Sequence, residues 1–264
     1  MKQQFAVQYD TIVFLCIFHV LTAVGLYYFS PGYLILALCI WPLSHGIGLA
    51  VGYHRLLTHQ SFECPKPIEY IITIFGLLTL QGGHIKWVAI HRAHHQYTDE
   101  PEDPHTPRKG FWHSHIGWML YGNTEYTSQT FLQKYGGTLN KDKFHRFFQK
   151  LWWLPTVILA VILFAFGGIL AVIWGIIIPV TIGLHFTWLV NSACHLWGHQ
   201  RFQTDDDSTN NWLVSLLTWG EGWHNNHHES PRRACYGLEW YQFDPSWWFI
   251  CALRWLGLAK KVVQ

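Results

Sequence analysis

The chain has 264 residues, half of them apolar, and only 13% are charged, about half the share of a soluble domain. A formal net charge of +2 leaves no basic footprint for nucleic acid. The 16 Trp, 17 Phe and 12 Tyr suit the rims of a bilayer, where a ring sits half in lipid and half in water, and the length suits one domain.

No Asp, Glu, Lys or Arg lies between Thr11 and Tyr53, or between Leu151 and Gln200. Each stretch holds two helices of about 20 residues, the length that crosses a hydrocarbon core. The turn signal Ser30-Pro31-Gly32 divides the first and predicts spans near 11–29 and 33–52. A division at Trp174-Gly175 predicts spans near 153–173 and 176–196. Residues 68–80 are apolar but too short to span, and read as an interfacial or buried helix. The tail 247–258 reads as amphipathic, lying on the membrane surface.

Charged residues are thus confined to the N-terminus, to 54–150 and to the tail after 200. With four spans these segments share one side, and the two hairpin loops opposite carry no Lys or Arg. The positive-inside rule then places both termini in the cytoplasm. Met1–Asp10 is too short for a signal or transit peptide, so the first span is expected to stay as an anchor. The six cysteines form no Cys-x-x-Cys pair and read as buried free thiols.

The 18 histidines need a cause, because neutral imidazole is the commonest metal ligand. Three clusters stand out: His54 with His59, His91-Arg-Ala-His94-His95, and His224-Asn-Asn-His227-His228. On a helix, positions i, i+3 and i+4 share a face, so the second and third clusters each aim three imidazoles one way. The i, i+5 spacing of the first is looser on a regular helix. All three fall on the charged side, where they can converge, as ligands do in helix bundles with two-metal sites. Eight imidazoles exceed the needs of one metal, so two metals are expected. His19, His45 and His145 read as ordinary packing residues.

Longer strings around these clusters carry a family resemblance. They are His91–His95 followed by Gln-Tyr-Thr-Asp-Glu-Pro-Glu-Asp-Pro-His105, Gly110-Phe-Trp-His-Ser-His-Ile-Gly-Trp118, Asn191-Ser-Ala-Cys-His195-Leu-Trp-Gly198 and Gly220-Glu-Gly-Trp-His-Asn-Asn-His-His228. From about Gly46 to Leu238 the chain resembles the integral-membrane fatty-acyl desaturases, the stearoyl-type Δ9 group of bacterial or cyanobacterial type. The resemblance implies a single domain over 1–264. Its fold would be an all-α, four-span transmembrane bundle with a helical cytoplasmic cap (54–150 and 197–264) carrying a di-iron site.

The resemblance implies nine ligands to two iron ions: His54, His59, His91, His94, His95, His195, His224, His227 and His228. Asn191, one turn before His195, would reach a metal through a water. It also implies tunnel positions at Pro42, Gly46 and Trp87. The chain departs from the family pattern at His199 and His113, and these, with His84, are expected near the site without binding metal.

Ligating histidines need a partner on the other ring nitrogen. Asp99, Glu102, Asp103, Asp207 and Glu221 are expected to supply it, with Glu100, Asp205 and Asp206 nearby. The implied reaction uses O2 as co-substrate, a fatty-acyl substrate on glycerolipid or CoA, and membrane lipid as surroundings, in a bacterial inner membrane or thylakoid. Neither a Rossmann fingerprint nor a ferredoxin-type cysteine set occurs, so electrons are expected from a separate ferredoxin or cytochrome b5-like donor. Arg108, Lys109, Lys141, Lys143, Arg232 and Arg233 are the basic residues available to dock it. The competing readings are a di-iron membrane hydroxylase, which leaves oxygen in the product, and a membrane metal carrier or sensor, which needs polar ligands across the bilayer.

Overall fold

The two uncharged stretches become the long helices of a mostly helical protein, seen in a computed structural model that describes residues 5–264. Strand β1 (Phe5–Val7) leads into α1 (Tyr9–Tyr27), and α2 runs without a break over Pro31–Thr58. A helical run over Leu154–Leu196 follows later in the chain. These three helices are long and apolar enough to cross a membrane. Their outward faces are apolar: Val13, Ile17 and Val20 on α1, and Val161, Phe164 and Phe166 on the third run, are exposed. Such a surface belongs in lipid, where a helix satisfies its own backbone.

Straight, the third run of 43 residues would measure roughly 64 Å, twice a hydrocarbon core. It folds back instead. Gly168 adopts φ +64° and ψ −163°, open to glycine because it has no Cβ. Leu163 then packs onto Gly175, where a Cβ would lie 2.6 Å from its Cδ1. We name the two arms α7 (154–167) and α8 (169–196). The break expected at Trp174-Gly175 is therefore at Gly168. Trp174 is buried inside α8 and its indole donates to Gly25 O at 3.2 Å. The Gly167-Gly168 pair was the turn signal, and an indole with a carbonyl partner marks packing instead. Tyr33 Oη donates to Gly167 O at 3.2 Å, so the α1–α2 turn and the α7–α8 turn lie at one end.

The cap gathers at the other end. It contains α3 (Lys66–Leu77), α4 (His84–Gln96), strand β2 (Tyr121–Asn123), α5 (Gln129–Gly136) and α6 (Lys143–Lys150). After α8 come α9 (Trp212–Leu217), α10 (His224–Glu229) and α11 (Pro245–Trp255). β1 pairs antiparallel with β2, Phe5 opposite Asn123, which ties the start of α1 to the cap. As expected, 68–77 is helical and half-buried, with Ile72 and Leu77 in the core and Ile71 exposed. Helix α11 is two-faced: Ile250 and Leu253 are buried, and Trp248 and Trp255 are exposed.

Val51, Tyr53, Leu77, Val88 and Ile250 form one core between α2, α3, α4 and α11. Leu15, Trp174, Ile177 and Leu184 form another between α1 and α8. Small residues allow the closest crossing: a Cβ on Gly48 of α2 would collide with the backbone of Gly76 on α3.

His84 and His145 pair with each other. His84 Nε2 meets His145 Nδ1 at 2.8 Å, and His145 Nε2 donates to Glu69 at 2.8 Å, joining α3, α4 and α6. Burial pushes His84 down to about 3. The unfolded chain takes up this proton near pH 6.5 and the folded protein near 3, so stability falls as pH is lowered across that window. We predict that His84→Gln flattens the slope there by up to about 1.4 kcal/mol per pH unit. Denaturation at stepped pH checks this, and an unchanged slope counts against it.

Candidate metal centre

The i, i+5 spacing of the first cluster is resolved by how α2 is wound. From Pro42 to Thr58 it hydrogen-bonds i to i+5, and the His59 amide donates to His54 O at 3.1 Å. The wider turn brings position i+5 back over position i, where a regular helix would leave it about 140° away. The two rings are 4.7 Å apart. Helix α4 contributes His91, His94 and His95, α8 contributes His195, and the short α10 contributes His224, His227 and His228.

These nine histidines fall into two groups. His54, His59, His91, His95 and His227 form one, and His94, His195, His224 and His228 form the other. Within each, the nitrogens lie within 4.8 Å of one another. Adjacent His94 and His95 serve different groups, and the His95 and His228 rings stack at 4.6 Å across the boundary. Among the described residues these two groups hold every histidine expected at the metal.

The second nitrogens show what the groups fit. His195 Nδ1 donates to Asp99 at 3.1 Å, His228 Nδ1 to Asp206 at 2.8 Å and His94 Nδ1 to Asp103 at 3.0 Å. His54 Nδ1 donates to Glu221. A neutral ring has one N–H, so with that hydrogen committed at Nδ1 the Nε2 of each neutral ring presents a bare lone pair. His195 Nε2 and His228 Nε2 both face His224 Nε2, at 3.1 and 3.0 Å, and one hydrogen cannot serve both. Nε2 of His54 and of His59 is buried without a partner. Converging lone pairs fit a cation. Burial, then mutual repulsion, pushes His59, His91, His95, His224, His227 and His228 well below 6.5, so they are neutral, the ligating form, at neutral pH.

Three of the five expected carboxylates, Asp99, Asp103 and Glu221, touch a histidine of the groups. Glu102 is exposed with no such contact, and Asp207 pairs with Arg108 at 2.8 Å. Asp206, one residue earlier, is the partner of His228. Sequence spacing did not separate neighbours in Asp205-Asp206-Asp207, because loop geometry decides which points inward. Burial pushes Glu221 up, but His54 and Arg55 outweigh it and hold the carboxyl below its usual range. Arg55, fully buried, donates to Glu221 at 3.0 Å, to Asp244 at 3.1 Å and to Ala234 O at 2.7 Å, and lies 3.9 Å over the Tyr236 ring. His105 was also missed. It is buried, 4.3 Å from the His94 ring, and burial pushes it down to about 3. His113 and His199 join neither group; His199 pairs its backbone with Asn210.

Two cavities border the groups. One of about 490 Å³ runs from Gln8 and Asp10 past Lys86 to His91 and Asn191. A smaller one, about 60 Å³, continues from His54, His91 and His224 to Trp41, His45 and Trp219. Trp87, His91, Thr187 and Asn191 line both. Gln81 bridges this waist: it accepts from Trp87 Nε1 at 3.0 Å and donates to Thr187 at 3.2 Å. Trp87 lines both cavities, whereas Pro42 and Gly46 are not among the lining residues. Gly46 acts from behind, because a Cβ there would sit 2.9 Å from the ring of Trp219.

A family model described as "Fatty acid desaturase" matches residues 12–250. An sn-2 palmitoyl-lipid 9-desaturase of Nostoc sp. (strain 36) is 43% identical over 96% of this chain and 89% of its own length. An sn-1 stearoyl-lipid 9-desaturase of Synechocystis sp. is 45% identical, over 86% and 70%. An acyl-CoA 5-desaturase of Anemone leveillei is 41% identical, over 92% and 76%.

Proposed function

The chain belongs to the fatty acid desaturase family, and on that premise we propose that it places a cis double bond between C9 and C10 of a saturated acyl chain. The observation that carries the reading is the shared wall, where His54, His91 and His224 face the same cavity system as Trp87 and Asn191. The balance is R–CH2–CH2–R′ with O2, two electrons and two protons, giving R–CH=CH–R′ and two waters. Two irons, when bound by the nine histidines, supply the oxidising power that an unactivated methylene requires.

The protein's own part is position and dryness. Carboxylates on Nδ1 fix each ring they touch, and Asn191, one turn before His195, would reach a metal through a water. The Gln81 bridge holds Trp87 and Thr187 across the chain's path. Leu49, Ala50 and Phe186 give the inner cavity apolar walls. At the outer mouth, Lys86 is the one Lys or Arg among the described lining residues, beside Gln8, Gln81, Asn123 and Thr124. The phosphates of CoA call for several cations, so this lining favours a glycerolipid-bound acyl chain.

Expression in cells lacking the activity, followed by analysis of fatty-acid methyl esters, tests the reading with lipid-bound and CoA-bound acyl chains supplied. The expected product is lighter than its precursor by two hydrogens. One heavier by an oxygen would make the chain a hydroxylase. Two bound metals without product, but with transport, would make it a carrier.

The placement of the turns supports four crossings of a bacterial inner membrane or thylakoid: α1, α2, α7 and α8. Both hairpin turns lie at one end, and the cap, the histidines and the start of α1 at the other. With the positive-inside rule this gives a cytoplasmic active site and cytoplasmic termini. In a background stripped of its six cysteines, Ser30→Cys should react with an impermeant maleimide on intact cells, and Lys143→Cys only after permeabilisation. The reverse pattern overturns the orientation.

A further inference from the structure

We propose that an acidic, one-electron carrier protein docks over a basic depression beside His59 and delivers its electrons to the centre through that imidazole. The inference rests on the desaturase reading, which requires two electrons per turnover and therefore two carrier encounters. It adds where they occur.

The depression, about 420 Å³, is walled by His59, Gln60, Arg92, Thr138 and Arg232. His59 is thus a metal-group histidine in the wall of an open outer pocket. The metal-group histidines that line the two other cavities beside the centre, His54, His91 and His224, face the interior route. Electron transfer falls steeply with distance, so a carrier seated here has a short path.

Charge points to the same place. Arg92 donates to Leu57 O at 2.7 Å, Thr58 O at 3.1 Å and Tyr135 O at 2.9 Å. These acceptors are neutral, so the guanidinium is held rigidly while its charge stays uncompensated. Arg232 is exposed, and among the described residues no carboxylate pairs with it. The wall contains no carboxylate. Four other basic residues differ: Arg108 is neutralised by Asp207, Arg201 by Glu239, Lys66 by Glu69, and Lys261 by Glu63. Lys141 and Lys143 are exposed but do not line this pocket. An uncompensated positive depression against a ligand-bearing wall steers an acidic partner and orients it.

The test uses the full-length protein in detergent with a plant-type [2Fe–2S] ferredoxin as probe. Two quantities are read: ferredoxin affinity for the zinc-loaded protein, which is redox-inert, and the rate at which reduced ferredoxin is oxidised by the iron-loaded protein. Arg232→Glu is expected to weaken affinity and slow oxidation about tenfold at low salt, with a shallower dependence on ionic strength. Metal content should not change. Thr138→Trp, which fills the depression without altering charge, is expected to slow oxidation while keeping the salt dependence. Lys150→Glu, exposed and away from this pocket, should leave both readouts unchanged. Equal affinity and rate for Arg232→Glu, or a larger loss for Lys150→Glu, would overturn the proposal. Failure of the desaturase reading would appear separately, in the product analysis.

Discussion

Asparagine in place of Asp99, Asp103 or Asp206 is expected to cost the four-histidine group about 10- to 100-fold in metal affinity, while the five-histidine group keeps its metal. The asymmetry is in the hydrogen bonds. Three of the four imidazoles in the smaller group donate Nδ1–H to a carboxylate: His195 to Asp99, His94 to Asp103 and His228 to Asp206. In the larger group His54 alone does so, to Glu221. A carboxylate fixes the tautomer and makes the opposite nitrogen a stronger donor to metal. A carboxamide keeps the shape and loses the charge. Metal analysis and cobalt titration of the purified protein should therefore show stoichiometry falling from two per chain toward one. Glu102→Gln and Asp207→Asn, whose side chains touch no imidazole of either group, should retain both metals. Two full-affinity sites in all three aspartate variants would sink this account.

The largest effect on stability is expected at Arg55. Its guanidinium is fully buried and satisfied by Glu221, Asp244 and Ala234 O. Arg55→Met keeps most of the volume but leaves two buried carboxylates without their cation. Removing one partner of a buried ion pair costs about 3–5 kcal/mol. The damage should reach the metal as well, because Glu221 also accepts from His54. The pH dependence has a definite sign. Glu221 is depressed in the folded protein, so its contribution is present above the unfolded value of about 4.3 and is lost as pH falls through the folded one. The parent should therefore lose stability on acidification below about pH 4.3, and the variant, already without the pair, should lose less. Thermal unfolding in detergent at stepped pH measures both. An unfolding temperature within a degree or two of the parent would refute the role given to Arg55.

Much of the molecule was legible in its letters, for identifiable reasons. Hydrocarbon excludes charge, so the two uncharged stretches had to become apolar helices, and Tyr9–Tyr27, Pro31–Thr58 and Leu154–Leu196 carry charge only at Asp10 and Arg55, close to helix ends. Helical spacing fixes which side chains share a face, so His91, His94 and His95 emerged together. The family resemblance supplied His195, which follows an apolar span and has no cluster of its own.

Other features depended on long-range packing. The break at Gly168 lost to Trp174-Gly175 because a bulky indole in an apolar run reads as a boundary, whereas its hydrogen bond to Gly25 O exists only once α1 packs against α8. Spacing could not choose Asp206 over Asp207, since adjacent loop residues point apart. The i, i+5 pair His54 and His59 became one face only through the wide winding of α2.

The sequence by itself determined that this protein carries clusters of imidazoles able to hold metal beside long apolar helices, because charge exclusion and helical periodicity are local rules. Only the tertiary structure decided how nine histidines divide into five and four, which carboxylates support each group, and where the centre approaches the outer surface. Those depend on the meeting of α2, α4, α8 and α10, whose residues lie far apart in the chain, as at the contact of the His54 and His227 rings.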